Sequence, residues 1–200
     1  LIDQKKIENI YSLIIKFVLI ITIGISVGGI ILASNIMLTI YDKKFLESVA
    51  IFRILMVSFP IYSIVILNVR LLNAFYKDYS IAKIFAFDLA LTIILNLLIT
   101  PKLGGIGAAS IKLFATIILL ILSSLQTHSI FPNMNYLVII IKCLLSSLIM
   151  AFALFFISNW NLLLLITIGL IIYTSSLLTL RVVDQYDISV LKRVFHLKEA

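Results

Sequence analysis

The chain has 200 residues, of which 62% are hydrophobic and 12% charged, with a mean hydropathy of +1.22. An ordinary water-soluble domain carries roughly 45–50% apolar and about 25% charged residues. Sixteen basic and nine acidic side chains are too few to cover a soluble domain of this size, so the solvent is largely lipid. Disorder, a disulfide scaffold and a soluble enzyme are excluded on the same ground.

A bilayer core of about 30 Å calls for roughly 20 apolar residues per helix. Six such stretches follow one another: Tyr11 to Ile40, Val49 to Leu71, Ile81 to Thr100, Ile106 to Leu125, Tyr136 to Ile157 and Asn161 to Leu180. Each run is continuous rather than alternating, which excludes the ten-residue strands of a membrane β-barrel. A helix also satisfies its own backbone in lipid. The expected fold is therefore all-α, a six-span bundle over residues 1–180 with a basic tail over 181–200.

The breaks between runs support these boundaries. Tyr41-Asp-Lys-Lys-Phe45, Tyr76-Lys-Asp-Tyr-Ser80, Pro101-Lys-Leu-Gly-Gly105, Phe131-Pro-Asn-Met-Asn135 and the turn around Trp160 separate the spans. Pro101 is expected to stop the third helix, because proline disfavours helix in the residue before it. Tyr11, Tyr41, Tyr76, Tyr79, Tyr136 and Trp160 fall at span ends, where aromatic belts form.

Charge placement sets an expected orientation. Lys5, Lys6, Arg70, Lys77, Lys83, Arg181, Lys192, Arg193 and Lys198 collect on one side, against Lys43, Lys44 and Lys102 on the other. The positive-inside rule puts both termini in the cytoplasm. The net charge of +7 then reads as a topology signal, and nucleic acid is not an expected partner. In the tail, Ile188, Leu191, Val194 and Phe195 share one helical face. That pattern suits either a short helix on an anionic leaflet or a solvated end.

Small and imino residues mark candidate bends. Gly24 and Gly28 form a GxxxG that either seats another helix or acts as a flexible point, and Pro60 is expected to kink the second span. Gly104, Gly105 and Gly107 allow a reversal after Pro101, and Ala108, Ala109 and Ser110 keep the next helix slim. Ionisable residues at membrane depth are expensive and face a cavity or a partner. Arg53 and Lys112 lie near the outer side, where they either line a cationic cavity or snorkel to the interface. Asp88 is a candidate for coupling to a cation, against a structural pair with a basic residue of another helix. Asn96 is expected to make an interhelical hydrogen bond. His128 and His196 have no partners at metal-ligand spacing, and no nucleophile–base or phosphate-cradling motif occurs. No cofactor, metal or catalytic residue is expected.

Asn96-Leu-Leu-Ile-Thr-Pro101-Lys-Leu-Gly-Gly-Ile-Gly107-Ala-Ala109 resembles a signature of lipid-linked oligosaccharide flippases, the polysaccharide transporter branch of the multidrug/oligosaccharidyl-lipid/polysaccharide superfamily. Tyr41-Asp-Lys-Lys-Phe45 with Phe52-Arg53-Ile-Leu55, Leu72-Asn-Ala-Phe-Tyr-Lys77 and Ile188-Ser-Val-Leu-Lys-Arg-Val194 are similar to further pieces of that family, in the family's order. Leu103 stands where an aromatic is usual, Asp42 for a glycine, and Phe75-Tyr76 where a glycine often occurs. The resemblance implies flipping of a lipid-linked oligosaccharide for cell-surface polysaccharide such as O-antigen, in the cytoplasmic membrane. The implied mechanism is alternating access of two lobes. The six spans correspond to the C-terminal part of a 14-helix member. With Leu1 at the start, that implies a partial chain lacking its N-terminal lobe, or a half-size protein that pairs with a second copy. Other expectations from different classes are a non-transporting assembly or scaffold protein and a multidrug-type exporter of the same superfamily.

Overall fold

The computed structural model describes residues 4–41, 43–131, 136–157 and 161–182. Asp42, Pro132–Asn135, Trp160 and the tail from residue 183 onward lie outside the described residues. So do the side chains of Lys5 and Lys6. The described residues are helical, with no strand among them: α1 Gln4–Ile31, α2 Ala33–Ile40, a 3-10 turn Lys43–Phe45, α3 Ser48–Ala74, α4 Asp78–His128, α5 Leu137–Phe156 and α6 Leu162–Thr179. Among the described residues, five helices are long and apolar enough to cross a membrane, namely α1 from Ile7 onward, α3, α4, α5 and α6.

The first expected span is two helices rather than one. The helix is interrupted at Leu32, with φ −86° and ψ 7°, just past the Gly28-Gly29 pair. Leu32 N–H still donates to the Gly28 carbonyl at 2.9 Å, so the interruption does not give up that bond.

The third and fourth expected spans form one helical run, α4, of 51 residues. Pro101 does not stop it: the helix continues to Leu103, and the departure occurs at Gly104, with φ 56° and ψ −141°. Proline removes one backbone bond, but reversing the chain needs a backbone geometry that only glycine adopts readily. A straight helix of this length would span about 76 Å. Instead the residues flanking its two ends touch, Lys77 Nζ donating to Ser129 Oγ at 3.0 Å. The run is therefore folded back on itself, with legs of residues 78–103 and 105–128.

The returning leg lies alongside α3 in the same direction. A side chain at Gly105 would meet Ile51 Cδ1 at 2.6 Å, while near the far end Asn68 Nδ2 donates to Ser123 Oγ and Ser124 Oγ, both at 3.1 Å. All buried residues of α4 belong to this leg, many of them small: Gly107, Ala109, Ala115, Thr116 and Ser123. Small residues let helix backbones approach closely in lipid. Ala108 is half-buried and Ser110 exposed, so Gly107 and Ala109 form the slim face. The outgoing leg has no buried residue from Asp78 to Leu103.

On the other side of α3, the core runs along α1 and into α5 and α6. Ile15, Leu19, Cys143, Leu154 and Leu165 are its fully buried members. Tyr11 belongs to this core rather than to an aromatic belt. It is 6% exposed, and its hydroxyl donates to Asn68 Oδ1 at 2.7 Å. With Ser123 and Ser124, this buried chain of hydrogen bonds ties α1, α3 and the returning leg of α4 together at one end of the bundle. Tyr41, Tyr76 and Tyr79 are exposed at helix ends as expected.

Among the described residues, two helices close with a non-glycine residue in the left-handed region, Tyr76 at φ 55° and Arg181 at φ 47°. In each case two N–H groups reach back over the last turn. Tyr76 and Lys77 donate to the carbonyls of Asn73 and Leu72, and Arg181 and Val182 to those of Leu178 and Leu177. This is the pattern that normally selects glycine.

Candidate functional site

Gly24 and Gly28 sit where α1 meets its neighbours. A side chain at Gly24 would meet the Tyr173 ring at 2.5 Å, and one at Gly29 the Met56 Sδ at 2.8 Å; at Gly28 it would reach Met150 Cε at 3.6 Å. The glycine-rich face of α1 therefore receives side chains from α6, α3 and α5 of the same chain. Tyr173 completes its seat by donating its hydroxyl to the Ile20 carbonyl at 2.6 Å.

Pro60 lies inside α3 without ending it. Because proline has no N–H, the carbonyl four residues earlier, at Met56, loses its intrahelical donor. Ser26 of α1 donates to that same carbonyl, so the bend candidate is bridged to the neighbouring helix.

Between these elements lies a cavity of about 520 Å³, lined by residues of α1, α2, α3, α5 and α6. Gly24, Gly28 and Gly169 line it together with Phe52, Met56 and Met150. The polar atoms near it are committed: the Tyr173 hydroxyl to Ile20, and the Thr174 hydroxyl to Leu170 and Ile171. Ile21, Ile25 and Leu170 also line it and are 57%, 51% and 60% exposed. The cavity is thus apolar and opens sideways between α1 and α6. Sequence reading missed it, because it is enclosed by five helices that only tertiary packing brings together.

The two candidate cavity cations are not brought together. Arg53 Nε donates to the Ile30 carbonyl at 3.2 Å, at the end of α1 next to the break at Leu32. A cation there also complements the negative end of the helix dipole. Lys112 Nζ lies 5.0 Å from the centroid of the Tyr62 ring. Arg53 and Tyr62 are nine residues apart on α3, which at about 100° per residue puts them on opposite faces. Arg53 faces α1, and Lys112 reaches the other side of α3, toward the α4 hairpin.

Asp88 lies on the outgoing leg of α4, close enough to Lys112 on the returning leg for their charges to interact. Its Oδ1 is buried and has no hydrogen-bond partner among the described residues. The pair thus spans the two legs of the hairpin. Asn96 departs from expectation: its Nδ2 donates to the Thr92 carbonyl at 2.8 Å, and Thr100 Oγ1 donates to its Oδ1 at 2.9 Å. Both partners belong to its own helix, one turn away on either side, so it makes no interhelical bond among the described residues. Pro101, Gly104 and Gly105 lie at the bend and Gly107, Ala108 and Ala109 begin the returning leg, as described above; none of them lines the apolar cavity.

A folded row of long apolar helices, with small residues at the contacts and ionisable side chains at depth, defines a multi-pass α-helical membrane protein. No protein-family model, curated protein or solved structure matches this chain.

Proposed function

We propose that the chain carries lipid-linked oligosaccharide across the cytoplasmic membrane, as one lobe of a flippase. The reading starts from the resemblance of Asn96–Ala109 to the flippase signature. The observation that carries it further is the sideways-open apolar cavity of about 520 Å³. A lipid-linked sugar moves its polar head while its hydrocarbon tail stays in lipid. A protein handling it needs an apolar recess reached laterally, and the gap between α1 and α6 meets that need. The Asp88–Lys112 pair supports transport as well, since ionisable groups at membrane depth are costly and commonly line transport paths.

In this reading the α4 hairpin crosses twice, giving six crossings with both termini cytoplasmic. The chain works against a further lobe of the same protein or a second copy. The end with Arg70, Lys77, Lys83, Lys142 and Arg181 faces the cytoplasm, where positive residues accumulate.

One observation favours a second reading, a membrane scaffold without transport. Arg53 is bonded to a backbone carbonyl of α1 and so acts within the framework. The two readings part in reconstituted vesicles carrying a fluorescent polyprenyl-diphosphate-linked sugar. Transport predicts head-group crossing above protein-free vesicles, reduced at least about fivefold by Leu170→Trp at the cavity mouth. Crossing no faster than in empty vesicles, with the chain folded, inserted and joined by its second lobe or second copy, overturns the flippase reading.

A further inference from the structure

A second recess lies on the opposite side of α3 from the large cavity. It measures about 270 Å³, and its wall is built from Tyr62, Val65, Ile66 and Val69 of α3 and Phe85 of the outgoing leg of α4, with Arg70 and Asn73 at one end. The groove runs along α3 from Tyr62 to Asn73, about 16 Å at 1.5 Å per residue. That is close to half of a hydrocarbon core about 30 Å thick. A transmembrane helix would need a groove of full membrane length. One fatty-acyl chain of a single leaflet needs half.

The two ends differ chemically. At the deep end the Tyr62 ring lies beneath Lys112 Nζ, and from there to Val69 the wall is aromatic or aliphatic. At the shallow end Arg70 and Asn73 are both exposed. Neighbouring cations are already engaged: Lys77 bonds to Ser129, and Lys83 lies 4.4 Å from the centroid of the Tyr79 ring. Arg70 makes no hydrogen bond among the described residues. Its planar fork suits bidentate binding of a phosphate, and Asn73 adds an amide donor beside it.

The geometry points to a binding site for an anionic phospholipid of the bilayer, with one acyl chain between α3 and the outgoing leg of α4 and the phosphate at Arg70 and Asn73. Arg70, Lys77 and Lys83 outnumber Asp78 near this end, so a net negative lipid is favoured over one whose quaternary ammonium headgroup would meet like charge. The ligand wedges the otherwise sparsely packed outgoing leg against α3. The site is separate from the cavity between α1 and α6, and it stands whether or not the chain carries a lipid-linked sugar.

Native mass spectrometry of the full chain, released from micelles holding equimolar phosphatidylglycerol and phosphatidylcholine, tests this. Phosphatidylglycerol is expected to be retained at least about fivefold over phosphatidylcholine. Arg70→Ala abolishes the preference, Arg70→Lys keeps part of it, and Lys102→Ala at the opposite end leaves it intact. Phe85→Trp, an exposed position that tolerates a larger ring, narrows the groove and lowers retention of phosphatidylglycerol with Arg70 still present. Equal retention of the two lipids by the native chain overturns the proposal, as does an unchanged preference in Arg70→Ala. Glycerol phosphate, which lacks acyl chains, is expected not to compete; competition equal to that of the lipid would refute the acyl-chain groove. Displacement of phosphatidylglycerol by an equimolar amount of polyprenyl phosphate would assign the groove to the transported lipid instead.

Discussion

Ser26 Oγ and the carbonyl oxygen of Met56 stand 2.6 Å apart, and Pro60 is the reason that carbonyl is available. Proline at position 60 leaves Met56 without a donor from its own helix, and α1 supplies one. The proline in α3 and the contact between α1 and α3 are thus one feature. Ser26→Ala should destabilise the protein by about 1 kcal/mol, the usual net value of such a bond. In a Pro60→Ala background, the N–H restored at position 60 can donate to the Met56 carbonyl, and the same change should cost nearly nothing. Unfolding in detergent of the four members of this double-mutant cycle measures the coupling. Equal costs of Ser26→Ala in both backgrounds would show the bond to be incidental.

Gly104 carries the reversal of α4. Its φ of 56° with ψ of −141° is strained for any residue with a β-carbon, although a side chain there would meet nothing within 4 Å. Gly104→Ala should therefore cost roughly 1–3 kcal/mol through the backbone alone. Leu103→Ala, one residue earlier and 60% exposed, should cost far less. Thermal unfolding of both variants separates strain from lost packing.

Tyr76 shows the reverse case. It is 92% exposed and adopts φ 55° at the point where α3 ends, so its ring contributes little and its backbone bears the left-handed penalty of about 1–2 kcal/mol. Tyr76→Gly should raise stability by about 1 kcal/mol, visible as a higher unfolding midpoint. A fall in the midpoint would mean that the ring holds the membrane interface more strongly than the backbone strain opposes it.

Asp88 and Lys112 lie across the hairpin from one another, near enough for their charges to interact. Removing one leaves a charge at depth without its counterpart, the costly situation for ion pairs away from water. Lys112→Met alone should destabilise the chain more than Lys112→Met combined with Asp88→Leu. Chemical denaturation in detergent gives the order. If the double variant is the less stable of the two, the charges do not act as a pair.

The helical class and the approximate positions of the apolar runs were legible because both depend on local quantities: residue hydropathy and the length needed to cross a bilayer. The bend after Pro101 was legible within a few residues, since Pro101, Gly104 and Gly105 occur together. The helix was expected to stop at Pro101 but runs on to Leu103, and the reversal falls at Gly104, one of the three glycines expected to allow it; the sequence shows candidates for a bend but not the backbone angles that single one of them out. Asn96 was expected to bond across helices, and its partners Thr92 and Thr100 lie on its own. That outcome depends on which way the outgoing leg of α4 faces, and this leg buries nothing.

Composition and periodicity by themselves determined that this chain lives in lipid as long helices joined at glycine, proline and charged breaks. Those features follow from transfer free energies and backbone geometry, which each segment carries alone. Only the tertiary structure decided which faces meet. It set Arg53 and Lys112 on opposite sides of α3, filled the Gly24 notch with Tyr173, buried Tyr11 against Asn68, and left one apolar recess on each side of α3. Helix hydrophobicity does not discriminate among such pairings in a bilayer, where lipid is as apolar as leucine. Close packing at small residues and a few interhelical hydrogen bonds make the selection, and both exist only once the helices are side by side.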